Sequence, residues 1–233
     1  MPYRRLPKTD AARLKALKTV LDNGDLYTVR EHFISWKVLN SAQSLYNQLL
    51  TAVEQYKVAY ASQVRHSDKN NGLKARASMY LSHFIQVLYM GVERGEIKPA
   101  LLELYGLNAD SKAVPEVKSM EGIMKWAPKI INGEKARIAK GGRPIYNPTI
   151  GMVSTHFDIF KEAAEARSTD MQRTRRATEQ VAHIRPEVDE LLLQLWNAIE
   201  AHYASLPLEE RLEKCKELGV IYYYRKGEKA AEE

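Results

Sequence analysis

Apolar residues recur at intervals of three and four over most of this chain, and that period predicts helices. The first spans about Thr9 to Asn23. Thr9 or Asp10 caps it, Leu14, Leu17, Val20 and Leu21 make one stripe, and Asn23-Gly24 ends it. A longer stripe begins at Val29 and continues through Phe33, Trp36, Leu39, Leu45, Leu49, Val53, Tyr56, Tyr60 and Val64. Asp68-Lys-Asn-Asn-Gly72 has the composition of a turn, after which Leu73, Ala77, Leu81, Phe84, Leu88 and Val92 mark a returning helix. Residues 25–106 therefore read as an antiparallel helical hairpin.

The second half follows the same plan in outline, without residue-level identity. Asn147-Pro148 can open a helix, which Ile150, Val153, Phe157, Phe160, Ala164, Val181 and Ile184 continue until Pro186 breaks it. Val188, Leu191, Leu192, Leu195, Ile199 and Leu206 line the return, and a short helix follows from Pro207 to Leu218. The intervening stretch, 107–147, holds three prolines and four glycines before Pro148 closes it. It reads as a crossover without a long helix, with Asn132-Gly133 as a tight turn. The pattern predicts an all-α protein, a helical bundle built from two long antiparallel helical hairpins. At most it adds a small β pairing of 143–146 with the β-prone 220–224. One domain is expected over 1–233: hairpin 25–106, crossover 107–147, a second hairpin with short helix and strand over 148–225, and a frayed tail over 226–233. Trp36 and Trp196 are expected as core anchors, and Trp126 at a surface pocket.

Composition changes this picture little. With 45% apolar and 27% charged residues in a chain of 233, disorder is excluded and a sizeable core is affordable. The single cysteine, Cys215, cannot form an internal disulfide, and the N-terminal stretch has no apolar leader core, so a cytoplasmic location is expected.

Charge is more informative. The net +6 is concentrated between Lys125 and Arg143, where Lys125, Lys129, Lys135, Arg137, Lys140 and Arg143 stand against one acid, Glu134. A second window from Arg167 to Arg185 holds Arg167, Arg173, Arg175, Arg176 and Arg185, and there the apolar stripe thins out. A helix overhanging into solvent, or an Arg-rich face meeting an anion, accounts for that thinning. Lys135, Arg137, Lys140, Arg143, Arg167, Arg173, Arg175 and Arg176 are the candidate anion-binding residues, because clustered cations sum their potentials and arginine's fork suits phosphate and carboxylate. Gly141-Gly142 can offer backbone amides to a phosphate, or simply supply a positive φ. A second candidate is the aromatic-basic run of Tyr222, Tyr224 and Arg225, of the kind that stacks single-stranded bases.

The sequence carries no recognisable catalytic motif. No histidine has a glutamate three positions before it, as a di-metal carboxylate bundle requires, and no zincin, thiol-redox, nucleophile-elbow or phosphate-loop pattern occurs. Glu179 and His183 are one turn apart and read as a solvated pair. Cys215, between Lys214 and Lys216, has neighbours that favour a thiolate but no partner base. No catalytic residue, metal or cofactor is assigned. The function expected is that of a non-enzymatic interaction or scaffold protein engaging an unknown protein partner or itself, without a membrane. The alternative is binding of nucleic acid or another polyanion through 125–143 and 167–185.

Overall fold

The computed structural model describes residues 2–23, 33–108 and 113–224. The start of the first predicted hairpin, including Val29, lies outside the described residues, as do Arg225 and the tail. The protein is an all-α bundle with a minimal sheet. In chain order it has β1 (Tyr3–Arg4), α1 (Asp10–Asp22), α2 (Trp36–Glu93), a 3₁₀ helix (Pro99–Tyr105), α3 (Met120–Ala139), α4 (Ile150–His202), α5 (Leu208–Glu217) and β2 (Tyr222–Tyr223). Among the described residues no helix is long and apolar enough to cross a membrane.

Two predicted breaks are absent. Residues 68–72 form no turn; α2 runs through them as one helix of 58 residues. Its inward positions there are Ser62, His66 and Asn70, spaced by fours. Tyr60 and Val64, which the apolar stripe had placed inside, are 51% and 45% exposed. The inner face is polar at this point because α4 presents Asp170, only 4% exposed, to it. Ser62 Oγ donates to Asp170 Oδ1 at 3.3 Å, and His66 Nδ1 pairs with Oδ2. The middle of α4 therefore meets α2 here rather than overhanging into solvent.

The second absent break is at Pro186, which sits exposed inside a 53-residue α4. A proline costs a helix interior about 3 kcal/mol, but the stripe continues in phase on both sides of it. Val181, Val188, Leu192, Leu195 and Trp196 are all buried, and each fully buried apolar side chain contributes roughly 1.5–3 kcal/mol. Packing outweighs the lost backbone bond. The same reasoning corrects the crossover: α3 is a 20-residue helix with Pro128 inside, capped by Ser119 Oγ, which accepts from Gly122 N at 3.0 Å. The strand partner is also corrected. β2 pairs antiparallel with β1, Tyr3 opposite Tyr223, while Tyr146 only bridges Thr149.

The chain divides into two compact units, Met1–Ala59 with Arg173–Glu233, and Tyr60–Gln172. The buried apolar side chains likewise form two clusters, one in each unit, where the sequence pattern suggested a shared interior. In the first unit Leu39, Leu49 and Ala52 of α2 pack with Val188, Leu195, Trp196 and Ile199 of α4, and α1 and α5 cover them. Trp196 is fully buried, whereas Trp36 is 52% exposed and anchors no core. Cys215 is also fully buried, and burial pushes its thiol pKa up, contrary to the thiolate its neighbours suggested. Tyr222 donates to Glu200 at 2.6 Å, and Glu200 also accepts from Arg4 at 2.8 Å, so one carboxylate ties the strand pair to α4.

Helix α1 is docked on α4 by a charged lattice. Arg185 donates twice to Asp10 at 2.7 and 2.8 Å, Arg13 donates twice to Asp189 at the same distances, and Arg13 also reaches Asp10 at 3.3 Å. The Arg185 hydrogen bonds hold the Asp10 carboxyl below its ordinary value of 3.8. A carboxylate whose folded pKa is depressed contributes stability above its unfolded pKa and loses it as pH falls through the folded one. Asp10→Asn is expected to cost about 1 kcal/mol at neutral pH, a partly exposed charged pair being worth little more. The difference between variant and parent in urea unfolding should shrink as pH drops below about 4; an equal difference at pH 7 and pH 2 would contradict the assignment.

Candidate cationic site

In the second unit, α2, α3 and the N-terminal part of α4 surround a core built on Phe84, Ile85, Leu88, Ile123, Ile130 and Phe160. The 3₁₀ helix packs along α3, and Gly133 makes this possible: a Cβ there would stand 2.6 Å from the Tyr105 ring and 2.8 Å from the Leu104 carbonyl oxygen. Asn132-Gly133 is thus a close-approach point within a helix, not a turn.

At this contact lies a buried ion pair. Glu134 and Arg137 are 0% and 3% exposed. Arg137 donates from Nη2 to Glu134 Oε1 at 2.8 Å and from Nε to Oε2 at 2.9 Å. Tyr105 Oη donates to Glu134 at 2.5 Å and accepts from Arg137 Nε at 2.9 Å. Burial first, and then the Glu134 carboxylate, raise the Tyr105 pKa, so the phenol stays protonated. The pair also reaches the loop beyond α3. Arg137 Nη2 donates to the Arg143 carbonyl at 2.6 Å, and Ile145 N donates to Glu134 Oε1 at 3.3 Å. The chain reverses at Gly141, whose φ is +87°.

Arg137 is therefore an internal strut, and its guanidinium is already committed to Glu134, Tyr105 and the loop. Glu134 is the one acid of the 125–143 window, and it is enclosed with Arg137. The other five cations, Lys125, Lys129, Lys135, Lys140 and Arg143, are all exposed. Lys125 and Lys129 flank the half-buried Trp126, with Nζ 5.8 and 5.1 Å from its ring centroid.

The fixed loop forms one wall of a hollow of about 780 Å³. Lys98, Lys140 and Arg143 line it with Arg137 at the back, and its apolar lining includes Ile97, Leu101 and Ile145. Arg94 and Glu96 also border it and neutralise each other at 2.8 Å. The amides of Gly141 and Gly142 are not free for a phosphate, since they donate to the carbonyls of Ile138 and Arg137 at 2.9 and 3.1 Å. Recognition here falls to side chains. Tyr146, also lining the hollow, is 79% exposed.

The remaining predicted residues do not join this site. Arg167 is half-buried in the same unit, while Arg173, Arg175 and Arg176 belong to the other and are exposed. Arg175 pairs with Glu179 at 2.9 Å, which leaves His183 facing Glu187 at 3.9 Å instead of the predicted Glu179. Arg185 is held by Asp10. Tyr222 is half-buried on Glu200, Tyr224 is 44% exposed, and Arg225 lies outside the described residues. His156 stacks on Tyr80 at 4.2 Å, and His83 is exposed. Among the described residues no group of three or more His, Cys, Asp or Glu is placed to hold a metal. Sequence reading missed Lys98 and Tyr146, since neither carries a motif and only the fold brings them beside Lys140 and Arg143. No family model, curated protein or solved structure matches the chain.

Removing one partner of a buried ion pair leaves an uncompensated charge and typically costs about 3–5 kcal/mol. Glu134→Gln is expected to destabilise the protein by that order in chemical denaturation. The double variant Glu134→Gln/Arg137→Met should recover a substantial part of the loss. Equal stability of the single and double variants would refute the coupling.

Proposed function

We propose that this protein is a non-enzymatic binding protein that engages a polyanion, nucleic acid included, through the exposed cations of α3 and the loop after it. The observation that carries the reading is the enclosure of Glu134 with Arg137, which leaves the outward charge of the 125–143 window uniformly positive. Lys140 and Arg143 then share a concave surface with Lys98, where their potentials add and counterions accumulate. The 167–185 window contributes less, because Arg175 and Arg185 are already paired. A cytoplasmic location accompanies this reading.

Binding driven by counterion release weakens steeply with salt, the logarithmic slope being about −0.7 to −0.9 per phosphate contacted. With three cations at the hollow, a slope of roughly −2 to −3 is expected for a fluorescent nucleic-acid oligomer titrated across salt concentrations. Lys140→Glu/Arg143→Glu, both on the surface, should weaken binding at every salt concentration and flatten the slope by about one unit per lost contact. No binding at low salt, or undiminished binding by the double variant, would overturn the proposal.

A further inference from the structure

We propose that the ligand at this hollow is a single-stranded nucleic acid, with one base stacked on the exposed face of Tyr146 and the flanking phosphates on Lys140, Arg143 and Lys98. The inference rests on the polyanion reading and adds the nature of the ligand to it.

Three observations favour a single strand over other polyanions. The site is recessed, whereas a duplex is read by an element that protrudes into a groove, and among the described residues this hollow presents a loop wall instead. Its volume of about 780 Å³ is that of a pocket that encloses a small organic group, such as one or two nucleotides. Ile97, Leu101 and Ile145 give it apolar lining, which suits the flat faces of bases and offers nothing to a sulfated sugar or a polyphosphate.

Tyr146 itself adds a fourth observation to these three. Its backbone bridges Thr149, and just before it Ile145 N donates to Glu134 while the Arg143 carbonyl accepts from Arg137, so the ring is carried on a fixed stretch of chain. Yet the ring is 79% exposed and lines the same hollow as two exposed cations, Lys140 and Arg143. An aromatic ring set in water beside clustered cations is the combination that binds single strands without sequence preference, because every base has a π face. The phenol ring needs no partner from the protein core, so its removal tests binding and not folding.

The test is anisotropy titration of the full chain with a labelled oligothymidylate of about 12 nucleotides, within the usual range of single-strand site sizes. A duplex of equal charge, heparin and phosphatidylserine vesicles serve as competitors. The parent should prefer the single strand over all three. Tyr146→Ala should bind it roughly 5- to 150-fold more weakly, the range seen when a stacking ring is truncated. Tyr146→Trp should retain binding, and both variants should unfold at the parent's temperature. If Tyr146→Ala binds as the parent does, or if duplex, heparin or vesicles compete as well as the single strand, the stacking inference falls while the polyanion reading stands. If no polyanion binds at low salt, both fall.

Discussion

The interior bond between Glu134 and Arg137 is the constraint on which the cationic site depends. A carboxylate and a guanidinium taken out of water are tolerable only when their hydrogen-bonding capacity is met. Here Tyr105 and two backbone groups of the following loop meet it. The same bonds that satisfy the charges thereby fasten the 3₁₀ helix to α3 and hold residues 143–145 against its end. The position of the hollow's wall follows from the need to satisfy a charge, not from any preference of the loop for that path. Gly133 has a part in this, because only a residue without a side chain lets Tyr105 approach closely enough to reach Glu134.

Each unit solves the problem of charged groups in its own way. In the unit holding α1 and α5, the carboxylates of Asp10, Asp189 and Glu200 stay at the edge of the apolar cluster, each holding an arginine that joins two chain segments. In the other unit the charges are drawn inside. Glu134 and Asp170 are both nearly inaccessible, one paired with arginine and the other with histidine and serine. Edge pairs are softened by solvent and salt. Enclosed ones specify geometry, since every lone pair must find a donor in place.

Much of the architecture was legible in the chain. The helical period identified the class, Thr9 caps the helix it precedes, and Trp196 and Phe84 fall in the core as their spacing implies. What failed were local signals opposed by tertiary packing. Asp68 to Gly72 has turn composition, and Pro128 and Pro186 are helix breakers, but these are weak terms beside the burial of long in-phase stripes. The phase error at Tyr60 and Val64 has a different cause: the inward face there is polar, so hydrophobicity marks the wrong side. The cationic window was also visible, but composition could not separate Arg137, which faces inward, from Lys140 and Arg143, which do not. Nor could it place Lys98 and Tyr146 beside them, because that neighbourhood is created by the reversal at Gly141 and the docking of the 3₁₀ helix.

Cys215 has a consequence of its own. It is the chain's sole sulfhydryl, it lies wholly within the apolar cluster capped by α5, and Tyr222 stands beside it. A maleimide or disulfide reagent can reach that sulfur only while α5 is lifted away. The alkylation rate therefore reports how often this corner of the protein opens, and the native chain carries its own clock for that event.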